Sequence, residues 1–477
     1  MAWDQIEPTA PHLSYLVLST FLIIYALFSL FIRNRLHIAE PPLATLAGII
    51  LGPRAAGVVT PAEWGLGDNV IQEITRVVVG VQCFAIGAEL PKKYFRQHWK
   101  SVAVLIGPVM AYSWLICGLF IYLLFNCSFE TALVISACLT PTDPVLASSV
   151  LGNSVFSERI PRHIKNMLSA ESGCNDGTSF PFLYIGLSIL QRSTFTGTLK
   201  KWFLITILWQ CVFGTFLGVV IGRAANWLLK FSNRRQLIAP PTYLVFYLLL
   251  AIFCIGVAST LGIDDFLVAF AAGASFAHDG WFSAKTAESS LGNVVDLLLN
   301  STMFVYFGAS IPWSSFESAD SESRLAGLTT ARLFVLLLLV LAFRRIPVVL
   351  ALKPLMSDLR TWREALFAGH FGPMGVGALF LAIEARAQLE TGTSIPLPYL
   401  PLPGKLPERN QRALEMVWPV ICFVVLGSII VHGLSTLAIS VWSHFARTEG
   451  ERAPLIGAER DGFGGMIHDG SSDEDDM

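Results

Sequence analysis

Ser169-Ala170-Glu171-Ser172-Gly173-Cys174-Asn175-Asp176-Gly177-Thr178 lies inside an apolar segment that runs from about Met167 to Leu190. A carboxylate in hydrocarbon costs roughly 2.5 kcal/mol or more. This stretch carries two, with an Asn and several hydroxyls beside them. Either the segment is not in a membrane, or function offsets the cost. Composition favours the second reading: of 477 residues, 53% are hydrophobic and only 14% charged, where soluble domains run near a quarter charged.

A hydropathy window of about 19 residues finds segments long enough to cross roughly 30 Å of hydrocarbon. Thirteen are expected, near 13–31, 42–59, 70–90, 101–125, 129–151, 164–190, 202–229, 241–261, 263–280, 290–311, 327–350, 364–388 and 413–441. The expected fold class is an all-α polytopic membrane protein. With the N-terminus outside, the inner loops collect 22 Lys and Arg, with Arg344 and Arg345 counted among them, against 7 in the outer loops. That asymmetry satisfies the positive-inside rule and puts the C-terminus in the cytosol. Met1 to Pro11 carries Asp4 and Glu7 and no Lys or Arg. It is the wrong leader for a cleaved signal, so the first run is expected to stay as a span.

The net charge of −2 says nothing about partners, because in such a chain the distribution of charge matters. The eight Cys are scattered singly, mostly in apolar runs, and support neither a disulfide framework nor a zinc site. No cofactor is expected, and no nucleic-acid partner. Residues 1–443 read as the membrane domain and 444–477 as a disordered acidic tail ending in Asp473-Glu474-Asp475-Asp476. The Pro-rich outer loop at 389–412 reads as a stiff extended link.

Two spans are interrupted. The fifth holds Leu139-Thr140-Pro141-Thr142-Asp143-Pro144-Val145, and the twelfth holds Gly369-His370-Phe371-Gly372-Pro373-Met374-Gly375-Val376-Gly377. Each Pro removes a backbone donor and clashes with the preceding turn, and the glycines loosen what remains. The breaks are seven spans apart, an odd number, so the two spans cross in opposite directions. This is the pattern of inverted repeats, spans 4–6 matching 11–13. Paired discontinuous helices in two inverted halves are a sequence pointer to a transport site.

The carboxylates then acquire roles. Glu171 and Asn175, four apart, share a helix face, and Asp176 points about 100° away. Asp176 can hold a proton or a partly dehydrated cation, but not comfortably both, and that competition is an exchange mechanism. Hard cations take oxygen ligands. Asp176 is the expected contact for Na+, with Asn175, Thr140, Thr142 and Ser172 as additions. Asp143, between two prolines, either neutralises a helix N-terminus or touches the ion. Of Asp264 and Asp265, one is an expected N-cap and the other part of an ion path. His370 is either a titrating group or a satisfied polar histidine. Pro141, Pro144, Gly372 and Pro373 shape the breaks. Arg76 and Glu73 are expected to pair with each other or a neighbour, Arg332 to snorkel, and Glu384 and Arg386 to be interfacial.

Thr140-Pro141-Thr142-Asp143-Pro144 followed by Glu171-Ser172-Gly173-Cys174-Asn175-Asp176-Gly177 resembles the monovalent cation/proton antiporters with an Asn-Asp motif. Leu261-Gly262-Ile263-Asp264-Asp265-Phe266-Leu267 and the His370–Gly377 stretch narrow the resemblance to the fungal plasma-membrane sodium/proton antiporters, over roughly residues 12–445. The resemblance implies a homodimer whose core moves like an elevator against a dimerisation domain. It implies Asp176 as carrier, electroneutral one-for-one exchange associated with Asn175, and functional roles for Asp143, Asp264, Asp265 and His370. It further implies export of Na+ and Li+, with K+ in some members, and thereby salt tolerance and pH homeostasis, at the plasma membrane or alternatively an endomembrane. One departure stands out. Many relatives carry an Arg in the Gly-rich break to balance the Glu of the motif, and here that position is Met374. Glu171 is therefore expected to be protonated, or paired with Arg363, His370 or an unidentified residue.

Two other classes compete. An intramembrane aspartyl protease needs two buried Asp, and Gly65-Leu66-Gly67-Asp68 matches a Gly-x-Gly-Asp motif. It falls in a loop beside Pro61, Glu63 and Trp64, and a turn is the better reading, so the chain is not expected to be an enzyme. A sodium-coupled symporter or cation channel also fits inverted repeats.

Overall fold

The computed structural model describes residues 9–32, 36, 38–143, 160–191, 195–239, 241–286, 291–316, 327–402 and 404–445. Pro144 and the acidic tail lie outside the described residues. The described residues form helices and no β-strand: α1 (Ala10–Phe31), α2 (Glu40–Leu51), α3 (Asp68–Glu89), α4 (Tyr94–Leu124), α5 (Phe129–Ala137), α6a (Arg162–Thr178), α6b (Phe180–Leu190), α7 (Thr196–Arg234), α8 (Thr242–Leu261), α9 (Asp265–Phe276), α10 (Leu291–Ala309), α11a (Thr330–Phe343), α11b (Ile346–Leu352), α12a (Trp362–His370), α12b (Val376–Glu390) and α13 (Glu408–Phe445). Seven helical stretches among them are long and apolar enough to cross a membrane: α1, α3, α4, α7, α8, the run from Thr330 to Leu355, and the part of α13 from Glu408 to Ser435.

The departures from the expected spans have local causes. The second was expected at 42–59, but α2 begins at Glu40, with Pro41-Pro42 in its first turn, and ends at Leu51, before Gly52-Pro53, because Pro cannot continue a helix. The ninth is the twelve-residue α9, set off from α8 by Gly262 in the left-handed region, φ +64°. The sixth kinks at Ser179, where Pro181 opens α6b. The eleventh, expected to be continuous, is interrupted between α11a and α11b at Arg344-Arg345. These two arginines were expected in an inner loop. They are 2% and 4% exposed, inside the protein.

The two halves pack in corresponding ways. α3 packs on α9 as α10 packs on α2, and α4 packs on α5 as α11b packs on α12a. Small residues allow the backbones to meet, as membrane helices require. A Cβ on Gly87 would stand 2.3 Å from Phe270 O, and one on Gly308 would stand 2.2 Å from Thr45 O. The broken helices match most closely. α5 and α12a are each nine residues long. Ser128 caps α5 by accepting from Thr131 N (3.2 Å), and Thr361 caps α12a by accepting from Glu364 N (3.2 Å). In the second case Glu364 answers with its own carboxylate on Thr361 N, completing a capping box.

Gly65-Leu66-Gly67-Asp68 is a turn followed by the first residue of α3. Gly65 has φ +71°, and Asp68 pairs with Arg386 at 2.8 Å.

Candidate functional site

The two breaks meet. Asp143 N donates to Pro373 O (2.7 Å), and Asp143 Oδ2 accepts from Val376 N (2.7 Å). Asp143 thus sits on the N-terminus of α12b, where a helix carries about half a positive charge. Of its two expected roles, the structure supports the first. The opposite ends converge on one cation. Arg344 donates to Leu139 O beyond α5 and to Gly372 O beyond α12a, both at 2.6 Å. Two helix C-termini of about half a negative charge each face one guanidinium, so the charges match.

α6a runs alongside the crossing. Asn175 Nδ2 donates to Thr142 Oγ1 (2.7 Å), Thr142 N donates to Asn175 Oδ1 (3.2 Å), and the Thr142 and Ser172 hydroxyls meet at 2.9 Å. Asn175 therefore clips α6a to the unwound backbone of the fifth span. Thr140 is turned away, donating to Ala137 O on its own half-helix (2.8 Å). Asp176 is 1% exposed. Its Oδ2 takes only the long Cys83 Sγ contact of 3.8 Å, and its Oδ1 has no hydrogen-bond partner among the described residues. Burying a charge without a partner is costly, which makes this oxygen the strongest candidate for binding something else. Two glycines admit the carboxylates. A Cβ on Gly377 would stand 2.1 Å from Asp176 Oδ1, and one on Gly375 would stand 1.9 Å from Asp143 Oδ2. Among the described residues no group of three or more His, Cys, Asp and Glu could hold a metal ion. Asp176 shares this region with two other carboxylates, Asp143 beside Gly375 and Asp264 beside Gly177.

Glu171 has a partner that sequence reading did not name. Arg345 grips it bidentately, Nη1 to Oε1 at 2.5 Å and Nη2 to Oε2 at 3.0 Å, and also donates to Ala368 O (3.3 Å). Neither Arg363 nor His370 is the partner. The cation missing at Met374 arrives from the interruption of the eleventh span, and Gly372 makes room, since a Cβ there would stand 2.3 Å from Arg345 Cδ.

Asp264 is the expected cap, its Oδ1 accepting from Phe266 N (3.0 Å) and Leu267 N (2.9 Å). It also touches α6a, because a Cβ on Gly177 would stand 2.6 Å from Asp264 Oδ1. Asp265 is paired with Arg76 and accepts from Ser259 Oγ (2.7 Å). Arg76 also reaches Glu73 (3.2 Å). Arg332 is exposed and donates to Gly327 O (3.2 Å). Glu384 and Arg386 were expected at an interface but are buried, at 1% and 6% exposure. Glu384 collects Gln72 Nε2 (2.8 Å), Tyr184 Oη (3.1 Å) and Ser394 Oγ (2.7 Å). His370 meets Ser435 Oγ at 3.2 Å. Sequence reading passed over two further groups on α13. Ser428 Oγ accepts from Met374 N (2.8 Å), and His432 Nε2 reaches His370 O (3.0 Å), so α13 satisfies backbone groups that the second break unpairs.

This architecture has relatives. Residues 19–442 match the family model described as "Sodium/hydrogen exchanger, transmembrane". The chain belongs to the sodium/hydrogen exchanger family. It is 45% identical over 463 residues to a probable Na(+)/H(+) antiporter of Schizosaccharomyces pombe, covering 94% of this chain and 60% of the relative. It is 45% identical to a Na(+)/H(+) antiporter of Saccharomyces cerevisiae, covering 93% of this chain and 45% of the relative. A second S. pombe Na(+)/H(+) antiporter is 36% identical, with 93% of each chain covered. This exchanger-family chain thus spans about half the length of several curated relatives it matches. The solved sodium proton antiporter MjNhaP1 from Methanocaldococcus jannaschii shares the fold, with TM-score 0.67 and 17% identity, over 92% of this chain and 98% of that one.

Proposed function

We propose that this chain is a secondary active antiporter that exchanges one cytosolic Na+ for one external H+. The observation that carries the reading is the Asp176 carboxylate, buried at the crossing with Oδ1 unpartnered among the described residues. The names of the relatives support Na+ and H+ as the exchanged ions. Asp176 binds either the proton or the partly dehydrated cation. Asn175, Thr142 and Ser172 hold the geometry and supply oxygens, while Thr140 contributes through backbone rather than hydroxyl. Asp143 and Arg344 neutralise the half-helix ends, and Glu171 with Arg345 forms a neutral internal brace. Asp264 lies along the path as a second acidic group, and Asp265, His370 and the prolines of the breaks support the frame. Li+ is a second cargo, and K+ a third.

In this reading thirteen spans carry the N-terminus outside and the C-terminus in the cytosol of a plasma-membrane homodimer. Residues 1–443 form the transport and dimerisation parts, and 444–477 form an acidic tail. The core slides like an elevator, exposing Asp176 to each side in turn. A symporter or channel reading has no observation of its own in its favour.

The test is flux. Protein reconstituted in vesicles is expected to change internal pH in response to an imposed Na+ gradient, and Asp176→Asn is expected to abolish the change. Robust exchange by that variant removes Asp176 from the mechanism. The same assay with Li+ and K+ ranks the cargoes.

A further inference from the structure

An apolar cleft reaches α6a at Cys174 and Thr178. A groove of about 610 Å³ opens between α4 and α6a on one wall and α7 and α9 on the other. Its depth is apolar, with Ile106, Leu267 and Phe270 among the lining residues. Its mouth is ringed by Lys93, Arg96 and Arg223, all exposed, with His278 beside them. No Asp or Glu lines it. The neighbouring Asp279, beside His278, is already held by Lys230. Among the described residues none of the three rim cations makes an ion pair. Lys93 is held in the left-handed region, φ 59°, at the start of α4, a conformation uncommon for a residue with a side chain. Trp99, nearly two turns further on, is 56% exposed, as suits a residue at a membrane surface.

A rim of three cations repels Na+, so this groove is a poor route for the cargo. A cationic rim over a greasy slot has the opposite complement: an anionic headgroup with an acyl chain. We infer that this groove binds an anionic phospholipid from the leaflet on which Lys93, Arg96 and Arg223 lie, the headgroup at the three cations and a chain along Phe270. The positive-inside rule accounts for basic residues on this face of the protein, but not for their gathering around one apolar opening without a carboxylate. Three cations favour an anionic over a zwitterionic headgroup by roughly 100-fold at low salt. The groove also bears on transport. Cys174 and Thr178 line it and flank Asp176 on α6a, while the facing wall belongs to α7 and α9. A chain seated there lies between the helix that carries Asp176 and α7 with α9, where it would bear on any sliding of α6a in the elevator reading.

The experiment has two readouts. Native mass spectrometry of the purified wild type, offered equal phosphatidylserine and phosphatidylcholine, is expected to retain phosphatidylserine, and Lys93→Gln/Arg96→Gln/Arg223→Gln is expected to lose that selectivity. Val219→Trp, which fills the slot and leaves the rim intact, is expected to lose it as well. In vesicles, adding roughly 20 mol% phosphatidylserine to phosphatidylcholine is expected to change the Na+-driven proton flux of the wild type several-fold and leave both variants unmoved. Inorganic phosphate or soluble phosphoserine, which lack the chain, are expected to do nothing. Equal retention of the two lipids by the wild type overturns the inference, as does full selectivity in both variants, or an effect of phosphoserine equal to that of the lipid. Lipid retention does not rest on the antiporter reading. Failure of exchange in every vesicle would count against that reading, and failure of selectivity would count against this one.

Discussion

At the scale of single residues, the site separates charges that are matched from one that is not. Glu171 and Arg345 satisfy each other bidentately at 1% and 5% side-chain exposure. Removing one member of a buried pair leaves a charge stranded and costs about 3–5 kcal/mol, whereas replacing both by apolar groups is often near neutral. Glu171→Gln and Arg345→Gln are each expected to lower the thermal midpoint in detergent sharply, and Glu171→Leu/Arg345→Met to recover most of the loss. A double variant as unstable as the sum of the singles would show that the two are not coupled. Gly377 makes a second test. An added Cβ stands 2.1 Å from Asp176 Oδ1, so backbone or carboxylate has to shift, and overpacking of this kind costs about 1–3 kcal/mol. Gly377→Ala is expected to reduce exchange about tenfold or more while the protein still purifies as a folded species. An unchanged Na+ dependence in flux measurements would mean that the carboxylate does not need that position.

At the scale of elements, two capped half-helices of equal length end on one arginine. Lys carries the charge but lacks the planar fork that reaches two carbonyls at once. Arg344→Lys is therefore expected to lose most exchange, and Arg344→Met to lose it together with thermal stability. A wild-type rate in Arg344→Lys would reduce the residue to a point charge. The breaks themselves were legible in the sequence because their causes are local: Pro141, Pro373 and the surrounding glycines disrupt the helix on which they sit. Asp176, Asn175 and Glu171 were legible because carboxylates and an amide stand out in an apolar run. Arg344 and Arg345 were not, because two basic residues at the end of an apolar run also fit an inner loop. Their partners Leu139 and Glu171 are 205 and 174 residues away in sequence. Ser428 and His432 escaped for the same reason, as isolated polar groups in a greasy helix whose use depends on α12a and Met374 across the fold. The inversion of the two halves is an expectation from the odd number of spans between the breaks, and the corresponding packing of the halves agrees with a repeat. The shortness of α2 and α9 was underread because apolar composition continues past the residues that stop the helix.

At the scale of the whole molecule, the question is how much charge moves. Around the crossing, Asp143 faces a helix N-terminus, Arg344 faces two C-termini, and Glu171 is bound to Arg345. Asp176 is the carboxylate at the crossing without such a match, so one Na+ or one H+ neutralises it equally. If, as proposed, the core carries either ion across on Asp176, it crosses with the same charge in both directions, and a full cycle is expected to move none. Exchange is expected to keep its rate when a potassium diffusion potential of either sign is imposed on the vesicles. A shared carboxylate has a second consequence, because a cation needs its oxygen ligand deprotonated. In acid the proton occupies the carboxylate first, so the apparent Na+ affinity is expected to fall about tenfold for each pH unit below the titration of Asp176. Saturating Na+ restores the bound state. Under the proposed competition for one group, a Na+ affinity measured by flux that stays constant from alkaline to acid pH would require separate sites for the two ions.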